Sequence, residues 1–451
     1  MKQRGRHRRR RRGQALRATL AGTALALTAA ATLISTSQAT GDNTPGTLTP
    51  VTSSSEIGRL RLHENLVTED TLDTLTKDMG GNVGVSGVLT GADHTMRAEA
   101  DCSGTERAAL PLEPVATRAY CWAGEDARTQ EWLPRSVTTS GDGHDNGQWG
   151  GRRVIVAGWS HNDHAAGEPA RDKGLARVAL IDASDPAALT YRWVLLVAPR
   201  DDGKDFDAVR ADMGGMVWYQ DKLIVTARDG AGLLVFDLHR VLQAGVDSEA
   251  IGKVRGGYSA HGYQYVLPAV GSYSPAGGTC GGEKSAPCIG SLSLDRTSAP
   301  GSLVATEGSG STDRTRVWRY SYSTAADRTG LLGSDSLGRV DAAEAYRTKA
   351  AGLSGVLSHT PAGARKADWY VGHAPDSGGK HGTLWRQSGS GAKAVRCTAD
   401  QSYACWGQHT ASLSYWPQTG ELWTLSGAGA DPVPERVLYA VPLTSVDRSL
   451  G

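Results

Sequence analysis

From residue 80 to about residue 445, apolar positions come in short runs separated by Gly, Asp, Ser and Pro, and no run is long enough for a buried helix. The clearest stretch is Met216 to Leu238, where MVWYQ, DKLIVTA and LLVFDL are divided by Gln220-Asp221 and by Asp229-Gly230. β-branched and aromatic residues between turn formers predict an antiparallel meander. Similar groups recur over 154–159, 177–182 and 191–198, over 263–267, 291–294, 303–307 and 317–322, and over 369–372, 383–386, 412–416, 421–425 and 436–441. One stretch breaks the pattern. Thr68 precedes Leu72, Leu75 and Met79 at i, i+3, i+7 spacing with Glu69 and Asp70 in the first turn, which predicts a capped helix near 68–79 ended by Gly80-Gly81.

Strand groups that repeat every 50 to 70 residues or so suggest an all-β fold, a β-propeller whose four-stranded blades bury their faces against one another. Propeller repeats are roughly 40 to 50 residues long, so the chain has room for about six blades with short helical insertions, at 237–243 and 341–349. Four phrases reinforce the repeat: Arg177 to Asp182, Gly232 to Asp237, Arg316 to Tyr320 and Arg436 to Val441. A β-sandwich closes in fewer residues, and a β-helix shows a shorter, more regular period. In this layout, and in its Ala-, Gly- and Arg-rich composition, the chain resembles secreted propeller proteins of high-GC Gram-positive bacteria. The resemblance is one of architecture over residues 80–445 and transfers no functional residue.

The N-terminus changes the reading of charge. The chain has 48 Lys and Arg against 47 Asp and Glu, yet nine of the basic residues and none of the acidic ones lie in the first 39 positions. The basic head from Lys2 to Arg17, the apolar segment Ala18–Ile34 and the small-x-small site Ser37-Gln38-Ala39 have the order of a signal peptide cut after Ala39. The segment falls short of a bilayer span of about 20 residues, so no stable transmembrane anchor is expected after processing. Removing it leaves 39 basic against 47 acidic residues, which argues against a nucleic-acid partner. Residues 40–56, rich in Gly, Pro, Ser and Thr, are expected to be a flexible leader. Residues 57–451 then form a single domain, a monomer, located outside the cell or in the cell wall.

Export makes the cysteines legible. Cys102 with Cys121, Cys280 with Cys288, and Cys397 with Cys405 form three local groups, and in an oxidising compartment proximity favours three local disulfides. No CxxC pair supports structural zinc.

Three polar clusters carry candidate chemistry. Asp142, Asp145 and Asn146 lie in a D-G-H-D-N-G stretch that resembles half of an oxygen-rich calcium loop, although Arg153 stands where an EF-hand needs glutamate; the alternative is a solvated turn, and no other cofactor is expected. His161, Asp163 and His164 follow Trp159, with spacing that suits a ligand pair or an acid/base unit if a turn makes the imidazoles converge. Tyr258, His261, Tyr263 and Tyr265 combine aromatic faces with a histidine between glycines, the composition of a ligand-binding rim. No nucleophile elbow, Walker loop or dinucleotide fingerprint is present. These features point to a secreted protein that binds an extracellular glycan or peptide through propeller loops. The alternatives are an extracellular carbohydrate hydrolase or lyase using carboxylate or histidine chemistry, and a structural protein of the cell envelope.

Overall fold

A computed structural model describes residues 45–163, 169, 172–281, 285–308, 315–374, 380–427 and 435–451. The signal segment 1–39, the start of the leader and His164 lie outside the described residues. The residues of the leader that are described include a strand, Thr49–Pro50, paired with Glu344–Thr348, and Leu48 and Val51 are buried. Helix Glu69–Asp78 starts where its cap chemistry places it: Thr71 N donates to Thr68 Oγ1 at 3.4 Å, and Leu72 and Leu75 face the core. Gly80 and Gly81 take φ of +88° and +104°, which ends the helix at little steric cost. Among the described residues, no helix is long and apolar enough to cross a membrane.

The expected six-bladed propeller is not formed. Among the described residues the fold is mixed, with 13% helix and 45% strand, and the strands fall into five sheets of 5, 13, 2, 4 and 5 strands. The physical reason is the strand Tyr265–Pro275. It pairs antiparallel with Leu233–Asp237 on one side and, through Val266 to Pro268, parallel with Thr190–Arg200 on the other. That parallel ladder fuses two meanders into one eight-strand path from Met216–Tyr219 to Trp132–Thr139. The two ends of the path approach each other, with Trp218 N donating to Thr138 Oγ1 at 3.0 Å, so this sheet is a nearly closed barrel. The meander expected over 216–238 is present within it, in register from Met216 opposite Val225 to Thr226 opposite Leu233. The architectural resemblance to secreted six-bladed proteins falls with the blade count.

Five strands make a closed ring of contacts: Trp132–Thr139, Met216–Tyr219, Ile289–Asp295, Leu353–His359 and Thr410–Trp416. They run in one direction. Val137 N donates to Ser412 Oγ and, further along both strands, Thr138 Oγ1 and Ser414 Oγ converge on Asp142; Ser358 Oγ donates to Asp295 Oδ2 at 2.7 Å near the end of two others. Glycines permit the close approach. A Cβ on Gly215 would meet Leu292 N at 2.3 Å, and one on Gly355 would meet Leu413 Cγ at 2.9 Å. Outside the ring the faces are apolar, and Trp122, Trp159, Trp218, Trp318 and Trp406 are fully buried. Truncating such a residue to alanine costs about 3–5 kcal/mol, so these indoles are structural.

All three expected disulfides are present, with Cα separations of 5.8 Å (Cys102–Cys121), 4.9 Å (Cys280–Cys288) and 5.6 Å (Cys397–Cys405).

Candidate functional site

Four of the five ring strands carry a β-bulge at their start. The ladder slips between Pro134 and Ser136, between Ile289 and Leu292, between Leu353 and Gly355, and between Ala411 and Ser414. The fifth is entered through Met213, a non-glycine residue at φ +57°, followed by Gly214-Gly215. A bulge inserts one residue that the ladder does not pair and turns its side chain away from the regular alternation. Here the displaced residues include Arg135, Ser354 and Ser412, and because the strands are parallel around the ring, all lie at the same end of it. Ser412, at φ +64°, also stitches two ring strands by donating to Val137 O at 3.2 Å.

Arg135 is the residue that matters most. Its Nε donates to Ser160 Oγ at 3.1 Å, but no hydrogen bond or ion pair engages its two terminal nitrogens among the described residues. Burial pulls its pKa below the usual guanidinium value, with Asp212 and Asp163 opposing. Those two carboxylates belong to neighbouring segments. Ala211 N donates to Gly174 O at 3.1 Å, which holds the chain at Asp212 against the loop that carries Asp163. Gly174 lies against both Asp163 Oδ1 and Arg228 Nη1, and Arg228 Nη2 binds Asp163 Oδ2 at 2.5 Å. Asp212 is open to solvent at the mouth. The protein packed round its carboxyl raises its pKa on balance, opposed first by the Asp229 backbone N–H, which stabilises the carboxylate more than the like charge of the Asp229 side chain disfavours it.

Two cations and two carboxylates therefore meet at the bulged end. One pair, Arg228 with Asp163, is closed. The other, Arg135 and Asp212, attracts across a gap without contact. The two sides of the gap differ: the fold has partly stripped Arg135 of water, while Asp212 faces solvent.

Of the three polar clusters singled out from the sequence, only Asp163 contributes to this one. His161 is buried edge-on against Trp132 at 5.2 Å and faces the core. The three tyrosines do not form one rim. Tyr258 packs on Phe206 and donates to Lys204 O at 2.9 Å, Tyr263 accepts from Arg177 Nη1 at 3.0 Å, and Tyr265 is buried under the Arg192 guanidinium. His261, at φ +55°, has Nδ1 3.0 Å from Glu249 O and Nε2 3.9 Å from Asp172 Oδ1. It borders a separate cleft of about 510 Å³ lined by Asp172, Asp207, Arg210, Glu249 and Ile251.

The three calcium-loop residues diverge. Asp142 turns inward and accepts from Thr138 Oγ1 at 2.8 Å and Ser414 Oγ at 2.5 Å; Asp145 points outward to Arg296; Asn146 caps its own turn through Gln148 N at 3.0 Å. A different group, Asp221, Asp237 and His239, has ligand atoms within 4.8 Å of one another. There the Lys222 ammonium already bonds Asp221 and Asp237, at 2.7 and 3.1 Å, and occupies the space between them.

Arg135 is the candidate residue that the strand pattern leaves unmarked. Arg135 sits in WLPRSVTT, where a regular strand makes it one more outward-facing polar residue. The proline before it is the available signal, since proline within a strand favours an edge or a bulge.

Comparison with known proteins gives no identity. No family model matches the chain, and no curated protein does. Among solved structures, hydrazine synthase of Kuenenia stuttgartiensis is similar over 66% of this chain and 74% of its own, at 11% identity and a TM-score of 0.29. A putative 6-phosphogluconolactonase of Bacteroides fragilis covers 73% and 82%, at 13% identity and a TM-score of 0.24. At these scores neither likeness carries an argument about this chain.

The expectation of glycan or peptide binding through propeller loops is withdrawn together with the six-bladed propeller that was to supply them. The alternatives built on that scaffold, a carbohydrate hydrolase or lyase and a cell-envelope structural protein, have no support in the fold either.

Proposed function

We propose that the protein binds a small ligand bearing a carboxylate or phosphate at the bulged end of the strand ring, with Arg135 as its anchor. One observation carries the reading: the Arg135 guanidinium is the unpaired residue of a bulge and is largely enclosed by the fold, yet among the described residues no hydrogen bond or ion pair engages its terminal nitrogens. A guanidinium offers five donors in a planar fork that matches two oxygens of one anion. These nitrogens still reach solvent, and an anion that replaces that water gains a bidentate, charge-assisted contact in a partly dehydrated site. Asp163 is held by Arg228 and does not compete for the fork.

Calorimetric titration of the whole protein with propionate and with inorganic phosphate tests this. Saturable binding to one site is expected, with loss of roughly tenfold or more in affinity for Arg135→Met and partial retention for Arg135→Lys, which keeps the charge and loses the fork. Equal affinity in the native protein and in folded Arg135→Met would refute it.

We further propose that the first 39 residues are removed on export and that the protein works outside the reducing cytoplasm. Three disulfides with no free cysteine among the described residues support this. The intact mass of the exported protein is expected to begin at Thr40 and to be unchanged by alkylation without reductant. A mass that retains the basic head, or that gains alkyl groups, would oppose it.

A further inference from the structure

We infer that the ligand of the bulged end is a zwitterion, a free α-amino acid, whose carboxylate takes the Arg135 fork and whose ammonium takes Asp212. This rests on the anion-binding reading above and adds the second half of the ligand.

Four ionised groups meet at this end, and they do not pair two by two. Arg228 and Asp163 close on each other at 2.5 Å. Arg135 and Asp212 attract each other, yet no hydrogen bond or ion pair joins them. Flexible surface charges of opposite sign usually collapse together or drift into solvent; these are held apart by backbone. Arg135 is fixed as the unpaired residue of a bulge between Pro134 and Ser136 and tethered to Ser160. Asp212 is fixed between Ala211, bonded to Gly174, and Met213 in the left-handed region. The Met213 side chain is itself seated against Gly158 and Ser136, where a Cβ on Gly158 would meet Met213 Cε at 2.7 Å and Ser136 Oγ at 2.9 Å. Both ends of the gap are therefore anchored to the same two strands, Trp132–Thr139 and Val154–His161.

A ligand that satisfies only Arg135 leaves its negative charge facing Asp212 and, beyond it, Asp229. A ligand that satisfies only Asp212 faces Arg135 and Arg228. One with both charges, separated by one tetrahedral carbon, meets each protein group with the opposite sign and adds no net charge to the site. A further acceptor in the same cluster fits this chemistry: Asp163 Oδ1 is buried with no hydrogen-bond partner, and an ammonium has three donors to share.

The test uses the whole protein and pairs of ligands that differ by the amino group alone. The twenty L-amino acids are screened singly by thermal shift, and each one that stabilises is titrated beside its des-amino acid; for alanine this is propionate. The expected result is that at least one amino acid binds about tenfold or more tightly than its des-amino partner. Asp212→Asn should remove that preference while leaving the des-amino acid's affinity unchanged, and Arg135→Met should abolish both. Asp212→Ser serves as a second variant should the first not fold, with far-UV circular dichroism as the check. If des-amino acids bind as tightly as amino acids, or if Asp212→Asn weakens both alike, the zwitterion inference fails and the anion-binding reading stands. If neither class binds, both fail.

Discussion

Asp142 gives the sharpest test of the ring itself. Its carboxyl is 3% exposed and lies where three ring strands meet, accepting from Thr138 Oγ1 and Ser414 Oγ while its own carbonyl accepts from Arg296 Nη1 at 2.5 Å. Burial raises its pKa from 3.8 to about 6, against the pull of those hydroxyls and of Arg296. The sign follows from proton binding. The folded state holds this proton more tightly than the unfolded chain does, so Asp142 favours folding most below about pH 4, and that contribution is lost as pH rises through about 6. The shift of about two pH units corresponds to roughly 3 kcal/mol. Other carboxylates contribute with the opposite sign, among them Glu106 and Asp182, so the difference between two proteins is the quantity to read. Urea denaturation of the native protein and of Asp142→Asn, at half-unit steps from pH 4 to pH 7.5, isolates it. Asparagine never ionises, and its carbonyl still accepts from both hydroxyls. The variant should therefore gain on the native protein by up to about 3 kcal/mol as pH rises, with a plateau above pH 7. A stability difference that stays flat across the range would show that Asp142 titrates normally and that the centre of the ring is wet.

Other perturbations have equally definite outcomes. Replacing both Cys102 and Cys121 with serine opens a loop of 19 residues and should cost about 3 kcal/mol in urea denaturation. Gly158→Ala forces its methyl onto Met213 and Ser136. An overpacking cost of about 1–3 kcal/mol is expected, with weaker binding at the bulged end because Met213 adjoins Asp212. Glu106→Gln removes the charge that holds the bidentate Arg97 pair while leaving a side-chain oxygen for the capping box with Ser103. Burial opposes the Glu106 charge, but the Arg97 and Ser103 bonds outweigh it and hold its pKa low. The loss, about 2 kcal/mol, should be seen at neutral pH and shrink as pH falls below the usual glutamate range. Thr68→Ala removes the cap of helix Glu69–Asp78 and should cost about 1 kcal/mol.

Local structure was well marked in the sequence. Thr68, Glu69 and Asp70 announce their helix because a cap and a favourable end charge act within one turn. The strands of 216–238 are likewise set by β-branched runs between turn residues, and the disulfides by proximity. The propeller count was not legible, because it depends on long-range pairing. Nothing in YVLPAVGSYSP says that Val266 to Pro268 will run parallel beside Leu195 to Val197. A short alternating run fixes which side chains share a face and leaves open which strand lies next to it.

The candidate site was hidden for a related reason. Asp163 drew notice for its histidine neighbours, of which His161 turns into the core, while its true partner is Arg228, 65 positions away. Arg135 drew none, because the period-two pattern assigns a charged residue in a strand to the solvent side. The bulge breaks that assignment: one extra residue between Pro134 and Ser136 shifts the register, and a side chain expected outside is redirected to the end of the ring. Bulges recur at the start of three other ring strands, where Gly290, Ser291, Ser354 and Ser412 occupy the irregular positions, residues that a pattern-based reading passes over as turn or filler. A fold that places its departures from regular pairing at one end concentrates there the backbone strain and unpaired polar groups that a ligand can satisfy. The functional claim therefore stands or falls with Arg135, the one charged side chain that a bulge sends to that end.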